Sequence, residues 1–334
     1  MNDLRALTES DIPTWNRLLA RIEEVDRTGE HYNEADLLEE MRNPDLTPGQ
    51  DMVGAWDTAT GELVGYFCVY HRPATDGLHK IHLEGATRPD LRGQGIGTRL
   101  AEAMMRRAEQ VHLEQAADVP VLYSLSGVSA NAAQADLVAG IGLRPERWSF
   151  VMRARLADAP EPIPLPGGLR LQRYDAEMAD LMYTTHNVVF RDHPNFTPWT
   201  EAMWRQWVTE SRNFRPELSF VVVDPARPGE LAAYVQSNEY DAHFEATGRR
   251  EAYVAKVGTR REYRGQGLAT SLLQHCLRTY RDAGFDEASL DVDADNPTGA
   301  LGVYERAGFE VELRLTDYTR REGTLAQRDD SMTA

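Results

Sequence analysis

Arg264-Gly265-Gln266-Gly267-Leu268-Ala269-Thr270 reads as an anion cradle that opens a helix. Glycines at 265 and 267 let the backbone turn with positive φ, small neighbours permit close approach, and an apolar helical pattern follows at once. Backbone N–H groups of such a loop converge on one point. A near copy, Arg92-Gly93-Gln94-Gly95-Ile96-Gly97-Thr98, stands 172 residues upstream. After the second copy, Asp291, Asp293 and Asp295 alternate with Leu290, Val292 and Ala294, which puts three carboxylates on one strand face. Before it, Glu251 and Tyr253 share a face in the same way. Acids so placed could take a proton or hold an amine. No Gly-Lys-Ser/Thr accompanies the glycines, no acidic residue suits a dinucleotide ribose, and no His/Cys spacing suggests a metal site.

The elements needed to position these residues occur twice. A length of 334 residues is more than one core usually serves, so two domains are expected. Aligning residues 87–100 with 259–272 gives eight identities in 14 positions. In the first half the patterns predict a strand from Asp3, a helix carrying Ile12, Trp15, Leu18 and Leu19, and a second helix over Glu34–Met41. A hairpin turning at Asp57–Gly61 and a strand near Ile81–Ala86 come next. The glycine loop then starts a helix with Leu100, Ala101, Met104, Ala108 and Val111 on one side. A strand over Val119–Val128, a helix over Asn131–Ala139 and a strand over Arg147–Ala154 complete this half.

Prolines at 160, 162, 164 and 166, ending in Gly167-Gly168, mark a linker, since they sustain neither a helix nor an inner strand. The order then repeats, with strands at Leu169–Tyr174, Leu218–Val223, Leu231–Gln236, Ala252–Val257 and Ala288–Val292. The second loop's helix carries Leu268, Leu272, Leu273, Cys276, Leu277 and Tyr280. A last helix is expected to begin at Asn296-Pro297 and to end at Gly308, before a strand over Phe309–Thr316. The expected divisions are residues 1–155, a linker at 156–168, a second domain at 169–320 and a polar tail at 321–334.

The pattern Arg-x-x-Gly-x-Gly/Ala between a strand and a long helix resembles the cofactor loop of the GNAT superfamily of N-acetyltransferases. So does Asn296-x-x-x-Ala300-x-x-x-Tyr304-Glu305-x-x-Gly308-Phe309, one residue longer than the commonest form. The resemblance implies an α/β (α+β) protein of two tandem GNAT folds, each a mixed, mostly antiparallel sheet flanked by helices. It implies acetyl-CoA as co-substrate, held by Val257, Gly258 and Thr259 at the strand end, by loop residues 264–270 and by Asn296. By the same resemblance Tyr304 protonates the departing coenzyme A thiolate, which suits a phenol that keeps its proton at neutral pH. The upstream loop, Arg92, Gly93, Gln94, Gly95, Ile96, Gly97 and Thr98, would cradle the same group. There, however, Ala139 stands in the place of Tyr304, and the first domain is expected to be degenerate. For the general base, the position that many relatives fill with Glu is Tyr253, leaving Glu251 and Asp291 as candidates.

The His193-Pro194…Trp199-Thr200 stretch, together with the tandem organisation, is similar to that of mycothiol synthases. The expected reaction is direct attack of a small-molecule primary amine on acetyl-CoA, which needs proximity more than a protein nucleophile. The alternatives are acetylation of a thiol-sugar amine and an acyl-CoA-binding regulator without turnover. Cys68 and Cys276, one in each half and both in apolar patterns, fit buried thiols of a reducing compartment. The net charge of −17 argues against nucleic acid, and no long apolar run or leader-like start is present. A cytoplasmic monomer or homodimer is expected.

Overall fold

The computed structural model describes residues 2–43, 45–47, 49–192, 196–294 and 299–323. Two compact units divide the chain, Met1–Arg147 with Leu315–Ala334, and Trp148–Arg314.

The first unit runs β1 (Asn2–Ala6), α1 (Ile12–Asp26), α2 (Glu34–Met41), β2 (Met52–Asp57), β3 (Leu63–His71) and β4 (His79–Thr87). It continues through α3 (Ile96–Ala116), β5 (Val121–Val128) and α4 (Ala132–Gly140). Asn33 accepts from Ala35 N and Asp36 N, a capping box that fixes where α2 starts. Neighbouring strands from β1 to β4 pair antiparallel. β4 and β5 are parallel over His79–His82 and Val121–Ser124. One face of the sheet packs on α3 through Val69, Ile81, Leu83, Leu100, Met104 and Tyr123. Trp15, Leu18, Leu37, Tyr66 and Cys68 form a second apolar layer with α1 and α2.

The second unit runs β6 (Arg144–Arg155), β7 (Arg170–Arg173), α5 (Ala179–Val189), α6 (Glu201–Trp204), β8 (Phe220–Val223), β9 (Leu231–Asn238) and α7 (Asp241–Thr247). Next come β10 (Glu251–Thr259), α8 (Leu268–Asp282), β11 (Glu287–Asp293), α9 (Ala300–Ala307) and the start of β12 (Glu310–Glu322), whose residues from Leu315 on belong to the first unit. Its core joins Ala252, Val254, Ala288 and Leu290 to the apolar face of α8, with Leu272, Leu273, Cys276 and Tyr280 fully buried.

The terminal strands are exchanged relative to the expected domains. β6, the last strand of the first half, pairs with β11 from Glu287↔Arg155 to Asp293↔Ser149. β12 pairs with β5 from Leu315↔Val128 to Glu322↔Val121. The compact units therefore meet along the chain near 147 and 314, where the sequence suggests 155 and 320. The proline-rich stretch lies along α8, with Ile163 N donating to Gln274 Oε1 at 3.1 Å and Ser271 Oγ donating to Ile163 O at 2.6 Å. Helix α9 starts at Ala300, after Gly299 in the left-handed region. The start expected at Asn296-Pro297 lies outside the described residues.

Candidate active site

The two glycine loops adopt one conformation. Gly265 and Gly267 have φ of 73° and 80°, and Gly93 and Gly95 have 75° and 80°. Gly267 is the N-cap of α8 and Gly95 that of α3, both left-handed. A Cβ added at any of the four meets nothing within 4 Å, so the glycines are required by backbone conformation and the space above the loop is open. Leu268 and Thr270 are buried, and the backbone N–H groups of the first turn of α8 have no partner within the helix. The arginine opening each loop acts as a strut. Arg264 Nε donates to Thr259 O at 3.0 Å and its guanidinium reaches Val189 O at 3.1 Å. Arg92 Nε donates to Thr87 O at 3.2 Å, and its terminal nitrogens grip both oxygens of Asp26 at 2.6 Å.

Above this cradle the strands part. β10 pairs with β11 only over Glu251–Tyr253 and Glu287–Ser289, then runs on beside β9 to Thr259. A bulge between Val254 and Lys256 marks the departure. Arg260 N donates to Ala232 O at 3.0 Å, and by antiparallel alternation the Val257 N–H points away from β9, into the gap. Gly258 is needed for space, because its Cβ would lie 2.4 Å from Tyr234 Cε1 and 2.8 Å from Val189 Cγ2. β4 and β5 diverge in the same way, yet the β3–β4 ladder runs unbroken from Gly65↔Thr87 to His71↔Ile81, with no bulge.

On the face of β10 and β11 away from α8, Tyr253 donates its hydroxyl to Asp291 Oδ2 at 2.8 Å. The carboxyl of Asp291 opens toward solvent, while nearby protein strips part of its water. This loss of solvation raises its pKa, the Tyr253 hydrogen bond opposes the rise, and the Glu251 charge adds to it. Glu251 itself is engaged by Arg153, whose guanidinium also meets Glu287 at 2.8 Å and Glu312 at 2.6 Å. His243 Nε2 sits 3.2 Å from Glu287 Oε1. His243, Glu251 and Glu287 have the spacing of a cation site, but Arg153 already supplies positive charge to both carboxylates.

Tyr304 projects from α9 against the main core, its ring 6.3 Å from Phe309, and burial pushes its pKa up to about 12. It neighbours Tyr234, whose pKa burial raises first and the Tyr304 charge second. Tyr234 meets His186 Nδ1 at 2.8 Å. The rings of Phe190, Phe196, Trp199 and Trp204 surround that histidine at 4.6–5.7 Å. Lys256 Nζ lies 4.6 Å above Trp199. In α4, Asn131, the counterpart of Asn296, accepts from Gln134 N as a helix cap, and Ala139 occupies the place of Tyr304.

The structure thus gathers Val257, Gly258, Thr259 and loop 264–270 at the mouth of the gap, and joins Asp291 to Tyr253. It ties Glu251 into a separate ionic network. Asn296 and Asp295 lie outside the described residues, as do His193 and Pro194. Sequence reasoning missed the anchoring role of Arg153, which comes from a strand assigned to the other half, and the placement of Lys256. The latter had a signal, being one of two lysines in the chain.

Residues 13–121 and 179–309 both match the Acetyltransferase (GNAT) family. The chain belongs to this family. It is 30% identical over 316 residues to the mycothiol acetyltransferase of Catenulispora acidiphila, covering 92% of this chain and 94% of that one. The mycothiol acetyltransferase of Pseudarthrobacter chlorophenolicus is 29% identical over 262 residues, 76% and 73% of the two chains. The crystal structure of a GCN5-related N-acetyltransferase from Sphaerobacter thermophilus superposes with a TM-score of 0.77 at 25% identity, over 96% of this chain and 95% of that one. A tandem GNAT protein of the clavulanic acid biosynthesis pathway gives 0.71 at 18% identity, over 98% and 100%. The molecule is accordingly an acetyltransferase of two GNAT folds in tandem, each a mostly antiparallel sheet flanked by helices. Among the described residues no helix is long and apolar enough to cross a membrane.

Proposed function

We propose that the carboxyl-terminal unit transfers an acetyl group from acetyl-CoA to the primary amine of a small molecule, and that the amino-terminal unit does no chemistry. One observation carries the reading: both glycine cradles are built alike, but only the second is followed by a phenol, Tyr304 on α9.

The backbone of residues 264–270 suits the pyrophosphate, and the gap between β10 and β11 suits the pantetheine arm. Asn296 adds a contact by family resemblance. The Val257 N–H is placed to polarise the thioester carbonyl. Asp291, with its pKa raised, accepts the proton of the attacking amine, directly or through water, while Tyr253 fixes its orientation. The C–N bond forms as the C–S bond breaks, and Tyr304, protonated throughout the neutral range, gives its proton to the thiolate. Glu251 holds Arg153 and shapes the floor of the acceptor face. The amino-terminal cradle, residues 92–98, binds acetyl-CoA at most.

Coverage of 92% of the chain at 30% identity favours a mycothiol-type acceptor, the amine of a thiol sugar, as the second reading. Coenzyme A release over a panel of amines, with Tyr304→Phe beside the parent, tests both. The phenol loss lowers kcat about 10²-fold with KM for acetyl-CoA unchanged. Acetyl-CoA binding with no amine-dependent thiol release would make the chain a regulator.

A further inference from the structure

The halves align at an offset of 172, which superposes β4 on β10 over their whole lengths, His79–Thr87 on Glu251–Thr259. On the face turned to the first helices of each unit, Glu84 then stands where the other unit has Lys256. The charge at the acceptor wall is reversed. Around Glu84 the first unit places phenols. Tyr66, Cys68 and Tyr70 share one face of β3, opposite Ala86, Glu84 and His82 of β4. Tyr66 OH donates to Glu84 Oε1 at 2.7 Å, and Tyr70 stacks on His82 with centroids 6.3 Å apart.

Tyr32, between α1 and α2, remains 39% exposed, whereas Tyr66 is 4% exposed, so the group reaches solvent on the Tyr32 side. Glu84 acts electrostatically on Tyr32, Tyr66, Tyr70 and Cys68, and so does Glu40 of α2 on all of these except Tyr66. Burial, Glu84 and Glu39 together hold the Glu40 carboxyl at about 7. Among the described residues no Lys or Arg side chain lies within ion-pair distance of Glu40 or Glu84. A carboxyl held partly out of water without a counter-ion, as at Glu40, is costly, and aromatic faces nearby favour a cation.

We infer that the amino-terminal unit binds a ligand bearing a protonated amine beside Tyr32, Tyr66 and Tyr70, with Glu84 as its counter-ion. The ammonium donates to Glu84 and lies against the phenol faces, and Glu40 adds a second acceptor when ionised. With Ala139 in place of a phenolic acid downstream, the amine is held rather than consumed. This site is distinct from the acceptor face beside Asp291 and stands whether or not the carboxyl-terminal unit acetylates amines.

The full chain titrated calorimetrically with benzylamine, and with benzyl alcohol as the neutral isostere, tests the assignment. Benzylamine binds, Glu84→Gln weakens it about tenfold or more, and Asp291→Asn leaves that binding step in place. Tyr32→Ala, a change at an exposed ring, weakens it as well and serves if Glu84→Gln does not fold. Benzyl alcohol binding as tightly as benzylamine, or benzylamine binding unaltered in both Glu84→Gln and Tyr32→Ala, overturns the proposal.

Discussion

The Tyr253 hydroxyl donates to Asp291 Oδ2 at 2.8 Å from the last rung of the parallel ladder, where β10 and β11 part company. A phenol thus stands where the family resemblance implies a carboxylate, and the acid bonded to it comes from the neighbouring strand.

That relationship sets the pH dependence. Burial and the Glu251 charge raise the pKa of Asp291, and the Tyr253 hydrogen bond restrains it. A base must be ionised to act, so kcat/KM rises with pH through the Asp291 pKa. Tyr253→Phe removes the restraint, and the acid limb of the profile moves to higher pH. Asp291→Asn lowers kcat about 10²-fold or more. Profiles of the two variants beside the parent check this, and an acid limb that stays in place for Tyr253→Phe counts against it.

His79 gives the amino-terminal unit its own pH response. It is fully buried, with Nδ1 3.2 Å from that of His112. Burial first, then the charges of His112 and His71, lower its pKa from 6.5 to about 4. Between those values the unfolded chain binds a proton that the folded chain refuses. Stability is therefore full above 6.5 and is lost as the pH falls toward 4. Calorimetric unfolding across this window shows the loss, and His79→Phe flattens it.

Gly258→Ala tests the crowding at the mouth of the gap. The new methyl would sit 2.4 Å from Tyr234 Cε1 and 2.8 Å from Val189 Cγ2, and the Tyr234 ring is held by its bond to His186. Overpacking of this kind costs about 1–3 kcal/mol. Denaturant unfolding measures it, and an unchanged midpoint would mean that the ring moves freely.

Much of this was legible in the sequence, because the features concerned are local. The two loops show their glycines, the helices after them show apolar positions three and four apart, and Tyr304 against Ala139 separates the halves. The strand exchange was not legible, since β6 and β12 look the same whichever half they complete and only long-range pairing decides. The fate of Glu251 followed from that exchange, because its partner Arg153 arrives on β6. The bulge after Val254 leaves no residue signature, as Ala255 and Leu83 are both ordinary strand residues. The reversal of Glu84 and Lys256 could have been read by extending the alignment a few residues upstream.

The central claim is that two cradles of one shape serve different ends, with chemistry confined to the second. Gly267→Val and Gly95→Val place the same branched residue at the same φ of 80° in the two loops, each at a conformational cost of about 1–2 kcal/mol. Steady-state acetyl transfer by the two variants is the direct measurement. We expect kcat/KM for acetyl-CoA to fall about tenfold or more for Gly267→Val and to stay near the parent value for Gly95→Val. Transfer lost with Gly95→Val and retained with Gly267→Val would contradict it.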